Sequence, residues 1–352
     1  MSKLKIGVVG CGVMGTRHLA VAAASPLAEP FAAADLLPAR LKAAAERFGA
    51  KRLFAEGREL VADPDVQAVV FATPTARRDE LVVAALDHGK HVLVEKPIAM
   101  NAEVVRRMIR ARGDRVAACC SSRFHVFESA RIAARFVATG ALGEIRMLHC
   151  RIHDPAGAPP KSPPPTWRLS KGENGGGIFV NWGCYDLDYL LGVCNWTLRP
   201  RAAFAQTWQV PPRLRANVAP GSDAEAHLAA LIRCDGGAVI SYERGEYMPA
   251  QAEQAWQVVG THGSLSLTMV PKDGKVMTHD EVTAEAGLVT REIWRGTDTW
   301  EQMEDFVLTD FIEAVTNGRP PHTTLERALV VQEITDAVYA SAASGMAVPI
   351  GP

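Results

Sequence analysis

Three glycines near the N-terminus have a spacing that suits phosphate binding. Gly10, Gly12 and Gly15 form a G-x-G-x-x-G pattern directly after the apolar run "KIGVV". The first glycine permits a tight turn, the second lets the backbone approach a pyrophosphate, and the third allows a helix to pack closely on a strand. Together with Val13 and Met14, they are predicted to hold a dinucleotide pyrophosphate at a helix N-terminus. A bare glycine-rich turn is the alternative.

An acidic residue follows at the distance that dinucleotide binding requires. Asp35 ends the second predicted strand, 20 residues after Gly15. Its carboxylate can accept hydrogen bonds from the adenine-ribose hydroxyls and would repel a 2′-phosphate. Leu36 and Leu37 offer no cation, although Arg40 is one turn further on and could reach such a phosphate. The pattern therefore predicts NAD and disfavours NADP, unless Asp35 is only a helix cap.

A lysine stands where hydride chemistry would need a cation. The run "VLVEKPIA" places Glu95 and Lys96 at the carboxyl end of the fourth predicted strand, where ligands of open α/β sheets bind. An ammonium there could stabilise the oxygen of an alcohol that loses hydride, and could relay its proton. Glu95 is predicted to orient Lys96 or the nicotinamide end, and a merely solvated lysine is the alternative.

The elements that must position these residues change in character along the chain. Up to about residue 120, short apolar strands alternate with helices, which predicts a doubly wound parallel sheet covered on both faces. After about residue 123, long alternating segments and the turns "DGG" and "KDG" predict a mostly antiparallel open sheet with helices on one side. We therefore predict a Rossmann domain over residues 1–122 and an α+β domain over residues 123–352.

Composition and charge exclude several classes of protein. Among 352 residues, 48% are hydrophobic and 22% charged, which is typical of a globular protein. The net charge of −1 gives no reason to expect binding to nucleic acid or an anionic membrane, and no apolar run is long enough for a membrane span. The seven cysteines lack metal spacing and fit a reducing compartment, so we expect a cytoplasmic protein without a catalytic metal.

Several short motifs together resemble the Gfo/Idh/MocA family of oxidoreductases, and they extend over nearly the whole chain. They are "GVVGCGVMGTRH", "ATPT", "HGKHVLVEKP", "SRFH", "GALGEI", "WR", "GGG" and "AVYASAASGMAVPI". The resemblance implies a Rossmann domain joined to an α/β domain with an open antiparallel sheet. It also implies nicotinamide-dependent hydride transfer at a secondary alcohol or ketone of a sugar, cyclitol or related polyol. By the same resemblance, Lys96 is the catalytic lysine with a bond to Pro97 that can be cis. The resemblance also implies that the domain over residues 123–352 binds substrate and that its sheet face forms the interface of a dimer or tetramer.

The sequence departs from this family at the usual D-x-x-x-H motif. On alignment by the glycine triplet in "GGGIFVNWGCYDLDYLLG", Asn181 takes the aspartate position and Tyr185 the histidine position, while Asp188 keeps a later acid. These three residues would share one face of a helix. A phenol has a pKa near 10 and needs a nearby cation to act as a base at neutral pH. We predict that Tyr185 is the acid/base, assisted by Lys96, and that Asn181 binds substrate; the alternative for Tyr185 is a core aromatic.

A second departure and several weaker candidates complete the predicted site. The family often has T-P-N with a histidine shortly after, where this chain has Thr75 and Arg78. The resemblance implies that Thr73 and Pro74 still line the nicotinamide side of the cleft. Residues that could contact substrate hydroxyls or stack on a sugar ring are Arg123, His125, Trp167 and Arg168, and a structural role is an equal alternative for each. His153 and Asp154 end a strand beside a proline-rich loop.

Two other functions remain compatible with these residues. A redox-neutral enzyme would retain NAD, oxidise a carbon transiently and return the hydride after epimerisation or elimination. A non-catalytic NAD-binding regulator would explain the missing Asp–His pair, but it would not need a lysine at the hydride site. The leading prediction is an NAD-dependent dehydrogenase or reductase.

Overall fold

The computed structural model of this chain describes residues 3–162 and 164–351, and they form two compact units. The first unit runs up to Arg123 and also includes Met303–Leu329. The second comprises Phe124–Gln302 and the chain from Val330 onward. None of the helices in the described ranges has the length and apolar character needed to cross a membrane.

The first unit contains a six-stranded parallel sheet in the order β3-β2-β1-β4-β5-β6. This order reverses at β1, which is the doubly wound arrangement that the alternating strands and helices predicted. The inner strands are buried on both faces because nearly all of their residues are apolar. The strands are β1 (Leu4–Val9), β2 (Ala28–Ala34), β3 (Arg52–Phe54), β4 (Ala68–Phe71), β5 (His91–Val94) and β6 (Ala117–Cys119).

Helices cover the two faces of this sheet and form separate hydrophobic cores with it. The helices between the strands are α1 (Val13–Ala24), α2 (Pro38–Phe48), α3 (Gly57–Ala62), α4 (Asp79–Asp87) and α5 (Ala102–Arg112). The helix Phe306–Asn317 also belongs to this unit, since Leu308 and Phe311 pack in one core with Leu19 and Leu93. The predicted division at residue 122 placed this helix in the second domain, because its sequence pattern does not show which core it joins.

The second unit contains a nine-stranded mixed sheet in the order β14-β13-β12-β11-β7-β10-β9-β8-β15. Within this second sheet, the pair β7–β10 is parallel and the other pairs of described strands are antiparallel, so the expected mostly antiparallel character is confirmed. The strands are β7 (Ile145–Pro155), β8 (Pro200–Gln209), β9 (Glu225–Cys234), β10 (Val239–Met248), β11 (Glu253–Gly260), β12 (Gly263–Leu267), β13 (Lys272–Thr283), β14 (Gly287–Asp298) and β15 (Val348–Pro349).

Two predicted hairpin turns have different outcomes. The turn "DGG" joins β9 to β10, and Gly236 and Gly237 have φ values of 70° and 87°, which only glycine adopts readily. The prediction for "KDG" is wrong, because these residues begin β13 and Lys272 lies opposite Asp298 of β14. Residues typical of turns can continue a strand when the neighbouring strand is long enough to pair with them, and the sequence of one segment does not show the length of its neighbour.

Helices cover one face of the second sheet, and the opposite face is named the outer face. The helices are α6 (Glu128–Ala138), the short α7 (Lys171–Asn174) and α8 (Cys184–Val193). The helices Trp300–Glu304 and Leu325–Ser344 contribute residues to both units. A π-helical turn, Phe179–Gly183, leads directly into α8. The side chain of Asp186 on α8 contacts Tyr242, Arg244 and Trp256, so these strand residues lie on the helix-covered inner face.

Candidate functional site

The glycine loop between β1 and α1 has the geometry of a phosphate cradle. Gly10 has a φ of 88°, and a Cβ on Gly15 would lie 1.7 Å from the Gly10 carbonyl oxygen, so neither position accepts a side chain. A Cβ on Gly12 would meet only the Arg40 guanidinium, at 3.9 Å, so space above this residue is open. Val13 and Met14 form the first turn of α1, whose free N–H groups favour an anion there.

Asp35 lies at the end of β2 and is bound to this loop. Its Oδ2 accepts the Cys11 N–H at 2.8 Å and lies 3.3 Å from the Arg40 guanidinium, while its Oδ1 accepts the Leu37 N–H at 2.9 Å. A carboxylate has about four acceptor positions, so capacity for ribose hydroxyls remains. Asp35 therefore both supports the turn and presents a carboxylate. The alternative of a helix cap is wrong, because the N-terminal cap position of α2 is Leu37 and α2 has no side-chain cap.

Thr73 and Pro74 follow β4 and are tied to the segment after β5. The buried Arg78 donates to the carbonyl of Thr73 at 2.7 Å, to that of Glu95 at 2.5 Å, and also to that of Pro97. The hydroxyl oxygen of Thr73 is buried with no hydrogen-bond partner among the described residues. Such a group in a turn beside the glycine loop fits a ligand contact.

Glu95 is the centre of a buried ionic cluster in the first unit. His18 on α1 lies 2.9 Å from its Oε1, and the Arg123 guanidinium contacts the same oxygen. Burial alone would raise the pKa of the Glu95 carboxyl, but the charges of Arg123, His18 and Lys96 outweigh it and hold this pKa well below its usual range. Glu95 Oε2 accepts the Lys96 N–H at 3.2 Å, and the predicted cis bond joins Lys96 to Pro97.

These features of the first unit fit a nicotinamide dinucleotide. The glycine loop leaves room for a pyrophosphate, Asp35 offers an acceptor at the end of β2, and the Thr73 hydroxyl is available. Lys96 follows β5 at the carboxyl edge of the parallel sheet, which is the edge that binds ligands in this fold. The sequence predicted these residues correctly as neighbours of one edge, but not the supporting roles of His18 and Arg78.

A buried glutamate shapes the segment that leads into α8. Glu225 accepts the N–H groups of Gly177 and Phe179 at 2.9 and 3.1 Å, and the Tyr339 hydroxyl at 2.8 Å. Burial raises the pKa of its carboxyl despite these hydrogen bonds. A Cβ on Gly177 would lie 1.9 Å from the Glu225 carbonyl oxygen, which explains the last glycine of the triplet.

Tyr185 begins α8 within a group of aromatic side chains. It is 8% exposed, and its ring meets Phe124 and Trp182 edge to face at centroid distances of 5.2 and 5.7 Å. Asn181 is half-buried and lies inside the π-helical turn. Because i→i+5 bonding changes the helical phase, the i+4 spacing does not by itself place Asn181 on the face of Tyr185. Their shared function stays a prediction.

Two aspartates of α8 have separate partners. Asp188 Oδ1 lies 2.9 Å from His125 Nε2, so this acid orients the imidazole that the sequence analysis selected. Asp186 is fully buried and accepts from the Tyr242 hydroxyl at 2.9 Å, the Arg244 guanidinium at 2.7 Å and the Trp256 indole at 3.1 Å. No sequence signal marks this network, because its strand members are 56 or more residues from Asp186.

The remaining predicted substrate contacts differ in accessibility. Trp167 is 40% exposed on the 3-10 helix Thr166–Leu169. Arg168 beside it pairs with Glu246 at 2.5 Å and reaches the Tyr247 hydroxyl at 3.2 Å. Arg123 is buried in its ion pair with Glu95, so its described contact is internal to the first unit.

Two groups of possible metal ligands occur among the described residues. One is His18, Glu95 and Cys120, and the other is His153, His227 and Glu243. In the first group Arg123 already neutralises Glu95, which disfavours a further cation. Sequence spacing did not predict either group, since the tertiary fold brings distant residues together.

Two family models match the chain. One, an oxidoreductase family with an NAD-binding Rossmann fold, matches residues 4–119, and the other, a GFO/IDH/MocA C-terminal domain, matches residues 130–266.

Several characterised proteins are similar in sequence. A dTDP-3,4-didehydro-2,6-dideoxy-alpha-D-glucose 3-reductase of Streptomyces violaceoruber is 31% identical over 267 residues, which are 75% of this chain and 72% of that protein. A levoglucosan dehydrogenase of Pseudarthrobacter phenanthrenivorans is 27% identical over 78% of this chain and 75% of that protein. A myo-inositol 2-dehydrogenase of Thermotoga maritima is 26% identical over 90% of each chain.

Solved structures agree in fold. A levoglucosan dehydrogenase in complex with NADH and levoglucosan superposes over the full length of both chains with a TM-score of 0.83 at 23% identity. An aldose-aldose oxidoreductase from Caulobacter crescentus covers 99% of this chain and 100% of its own, with a TM-score of 0.78 at 22% identity. At these identities the likeness concerns the fold.

Proposed function

The chain belongs to the Gfo/Idh/MocA family of NAD-binding oxidoreductases, and from this premise we propose that it oxidises a secondary alcohol, or reduces the matching ketone, of a sugar, cyclitol or related polyol. The similar proteins named above act on levoglucosan, a didehydro-dideoxysugar nucleotide and myo-inositol. The ring carbons of these compounds bear hydroxyl groups or, in the didehydro sugar, carbonyl groups, which are the two ends of the proposed reaction. The observation that carries the proposal is the position of Lys96 after β5, on the sheet edge of the glycine loop and Asp35.

The first unit would hold NAD through residues already described. The N–H groups at the start of α1 would bind the pyrophosphate, Asp35 the adenine ribose, and the Thr73 hydroxyl the nicotinamide half. NAD⁺ held by these residues would supply the acceptor for the hydride that the alcohol carbon loses. The Glu95 carboxylate accepts the main-chain N–H of Lys96 and would thereby hold the lysine backbone in place.

Proton transfer is assigned to Lys96 and Tyr185. The Lys96 ammonium would stabilise negative charge on the substrate oxygen, and the Tyr185 phenolate would accept the hydroxyl proton. A unit charge about 4 Å from the phenol contributes roughly 4 kcal/mol at an effective dielectric constant of about 20, which equals about three pKa units before desolvation opposes it. Asn181 would hydrogen-bond the same hydroxyl group.

Substrate recognition is assigned to three polar or aromatic residues of the second unit. The exposed Trp167 indole suits the apolar face of a sugar ring, and His125 and Arg168 carry donors for hydroxyl groups. Arg123 would act on substrate binding only indirectly, by holding the Glu95 carboxylate that accepts the Lys96 N–H. The outer face of the second sheet exposes Phe204, Trp208 and Leu231, and we propose that it joins copies of the chain into dimers or tetramers.

NADH formation, followed by its near-ultraviolet absorbance, tests the proposal. Protein and NAD⁺ would be mixed with a panel of sugars, cyclitols and sugar acids, with Lys96→Met and Tyr185→Phe beside the wild type. Tyr189→Phe is the matched control, because Tyr189 lies on the same helix and its buried hydroxyl has no partner among the described residues. We expect turnover in wild type and Tyr189→Phe, and a loss of about 100-fold or more in the other two variants.

Two results would change the assignment. If Tyr185→Phe retains wild-type turnover, the phenol is a core aromatic and not the acid/base. If no panel compound is oxidised while NAD binds tightly, co-purified and non-exchanging NAD favours the redox-neutral enzyme. Exchangeable NAD without chemistry favours the regulator.

A further inference from the structure

Two histidines and a glutamate converge on the outer face of the second sheet. His153 is on β7, Glu243 on β10 and His227 on β9, which are three adjacent strands. The Nε2 atoms of His153 and His227 lie 2.9 and 3.2 Å from one and the same atom, Oε1 of Glu243. One nitrogen from each imidazole and one carboxylate oxygen therefore face a common point.

A glycine makes this convergence possible. In the strand register, Gly245 of β10 lies opposite His227 on one side and opposite His153 on the other. The two histidines are thus separated by two strand spacings, or about 10 Å between their Cα atoms. A Cβ on Gly245 would come within 2.3 Å of the Met248 sulfur and 3.0 Å of the His227 ring. The absence of a side chain lets both imidazoles lean over the middle strand.

The spacing of the three atoms suits tetrahedral zinc. Zn–N and Zn–O bonds of about 2.0–2.1 Å at tetrahedral angles place ligand atoms about 3.3 Å apart. The observed separations of 2.9 and 3.2 Å are close to this value, and the three ligand atoms all lie within 4.8 Å of one another. The side chains of His153, His227 and Glu243 are 8%, 24% and 30% exposed, so an ion could enter and bind a water as fourth ligand.

Surrounding residues orient each member of the group. Glu253 on β11 places Oε2 3.7 Å from His153 Nδ1, on the side of the ring away from Glu243. Arg151 lies 3.2 Å from Glu243 Oε2, which leaves Oε1 directed at the imidazoles. The Trp208 ring stacks on His227 at 4.7 Å between centroids. Such outer carboxylates and packed rings are the usual support of metal-bound histidine.

We propose that His153, His227 and Glu243 form a zinc-type divalent metal site on the outer sheet face, distinct from the residues assigned to hydride transfer. The two neutral imidazoles and one carboxylate are a ligand set that zinc prefers. Binding would connect β7, β10 and β9 through their side chains, and therefore would stabilise the sheet rather than supply chemistry to the alcohol.

Zinc binding to the tag-free, full-length protein tests this site. The protein would be freed of metal by a chelator and dialysis, then titrated with Zn²⁺ in competition with a chromophoric chelator, beside His153→Gln, His227→Gln and Glu243→Gln. His149→Gln is the matched control, because His149 lies on the same strand outside the group. We expect the wild type and the control to bind one ion per chain. Loss of a residue that only supports a metal ligand costs about 10- to 100-fold in affinity, so we expect loss of a ligand itself to reduce the zinc affinity by more than about 100-fold.

Thermal unfolding gives a second readout that does not involve activity. Zinc is expected to raise the Tm of the wild type and His149→Gln, since an ion that binds only the folded chain stabilises it, and to leave the Tm of the three ligand variants unchanged. The proposal is overturned if the wild type binds no stoichiometric zinc, or if the ligand variants bind it as tightly as the wild type. The proposal is also overturned if Cys120→Ser loses the ion while the three ligand variants keep it, because zinc would then bind at His18, Glu95 and Cys120.

Discussion

The guanidinium of Arg78 donates to the main-chain carbonyl of Glu95 at 2.5 Å, and not to the Glu95 carboxylate. The same group donates to the carbonyls of Thr73 and Pro97. Lys96 therefore lies between two carbonyls that one buried side chain holds, and that side chain also fixes the turn after β4. Arg78 is a positioning residue for Lys96 and for the Thr73-Pro74 turn.

Replacement of Arg78 is expected to impair both stability and turnover. Arg78→Met removes the partner of three buried carbonyls, at about 1–3 kcal/mol each. Arg78→Lys keeps the charge, but its ammonium cannot match the planar fork, so we expect an intermediate effect. Urea unfolding measures the stability, and kcat and KM of the folded variant measure the site.

The split between kcat and KM separates positioning from a merely structural role. We expect kcat to fall about tenfold or more in folded Arg78→Lys, since a misplaced Lys96 acts on the reacting oxygen, while substrate KM changes little. A variant with reduced stability but wild-type kcat would show that Arg78 supports the fold alone.

The sequence predicted the first unit better than the second for a physical reason. The glycine loop, Asp35 and Lys96 are fixed by local turn geometry and by strand ends, which leave marks at short sequence distance. The short β3 and α3 were missed, because three or six residues carry too little periodicity. Arg78 was noticed only as a departure from a family pattern, and its three carbonyl partners depend on the tertiary fold.

In the second unit the pattern identified strands but not all of them. The alternating segment 255–269 has no strong break in its pattern, but the structure contains two strands there, β11 and β12. β8 and β14 were not predicted. Exposed apolar residues such as Phe204 interrupt the alternation of apolar and polar residues that is typical of a strand with one solvent-exposed face. The π-helical turn before α8 was also unexpected, as a single inserted residue has no compositional signal.

The Asp186–Arg244 pair is expected to be strongly coupled. Both side chains are buried, and removal of one partner leaves an uncompensated charge, so Asp186→Asn and Arg244→Met should each cost about 3–5 kcal/mol. The double variant Asp186→Asn/Arg244→Met should cost less than the sum of the two, with a coupling energy of about 1–3 kcal/mol. Urea unfolding of the four proteins measures this cycle, and strict additivity would contradict the coupling.

Glu95 should make stability depend on pH in the acidic range. Its pKa is lowered in the folded chain from an ordinary 4.5, so its contribution is complete above that pH and is lost as the pH falls below it. Each pH unit below about 4.5 should cost the wild type about 1.4 kcal/mol relative to Glu95→Gln. Above this range the variant should be less stable by about 3–5 kcal/mol, because the buried Arg123 loses the carboxylate of its Glu95 ion pair.

Urea unfolding of wild type and Glu95→Gln between pH about 7 and about 3.5 measures this difference. Glu103→Gln is the control, since Glu103 is an exposed glutamate on α5 of the same unit. A stability gap between wild type and Glu95→Gln that stays constant down to the lowest pH would show that the carboxylate is not held ionised.

Cofactor selection should depend on the contact between Asp35 and Arg40. Asp35→Ser removes the acceptor for ribose hydroxyls and the carboxylate that repels a 2′-phosphate, and it releases the Arg40 guanidinium, now 3.3 Å from Oδ2. We expect weaker binding of NAD⁺ by about tenfold or more and a gain in NADP⁺ binding. Adding Arg40→Ala to Asp35→Ser should abolish the gain, because the phosphate then loses its cation, while Arg40→Ala alone should leave NAD⁺ preferred. Titration of protein fluorescence with each cofactor measures all four proteins; an Asp35→Ser variant that still rejects NADP⁺ would place the discrimination in other residues.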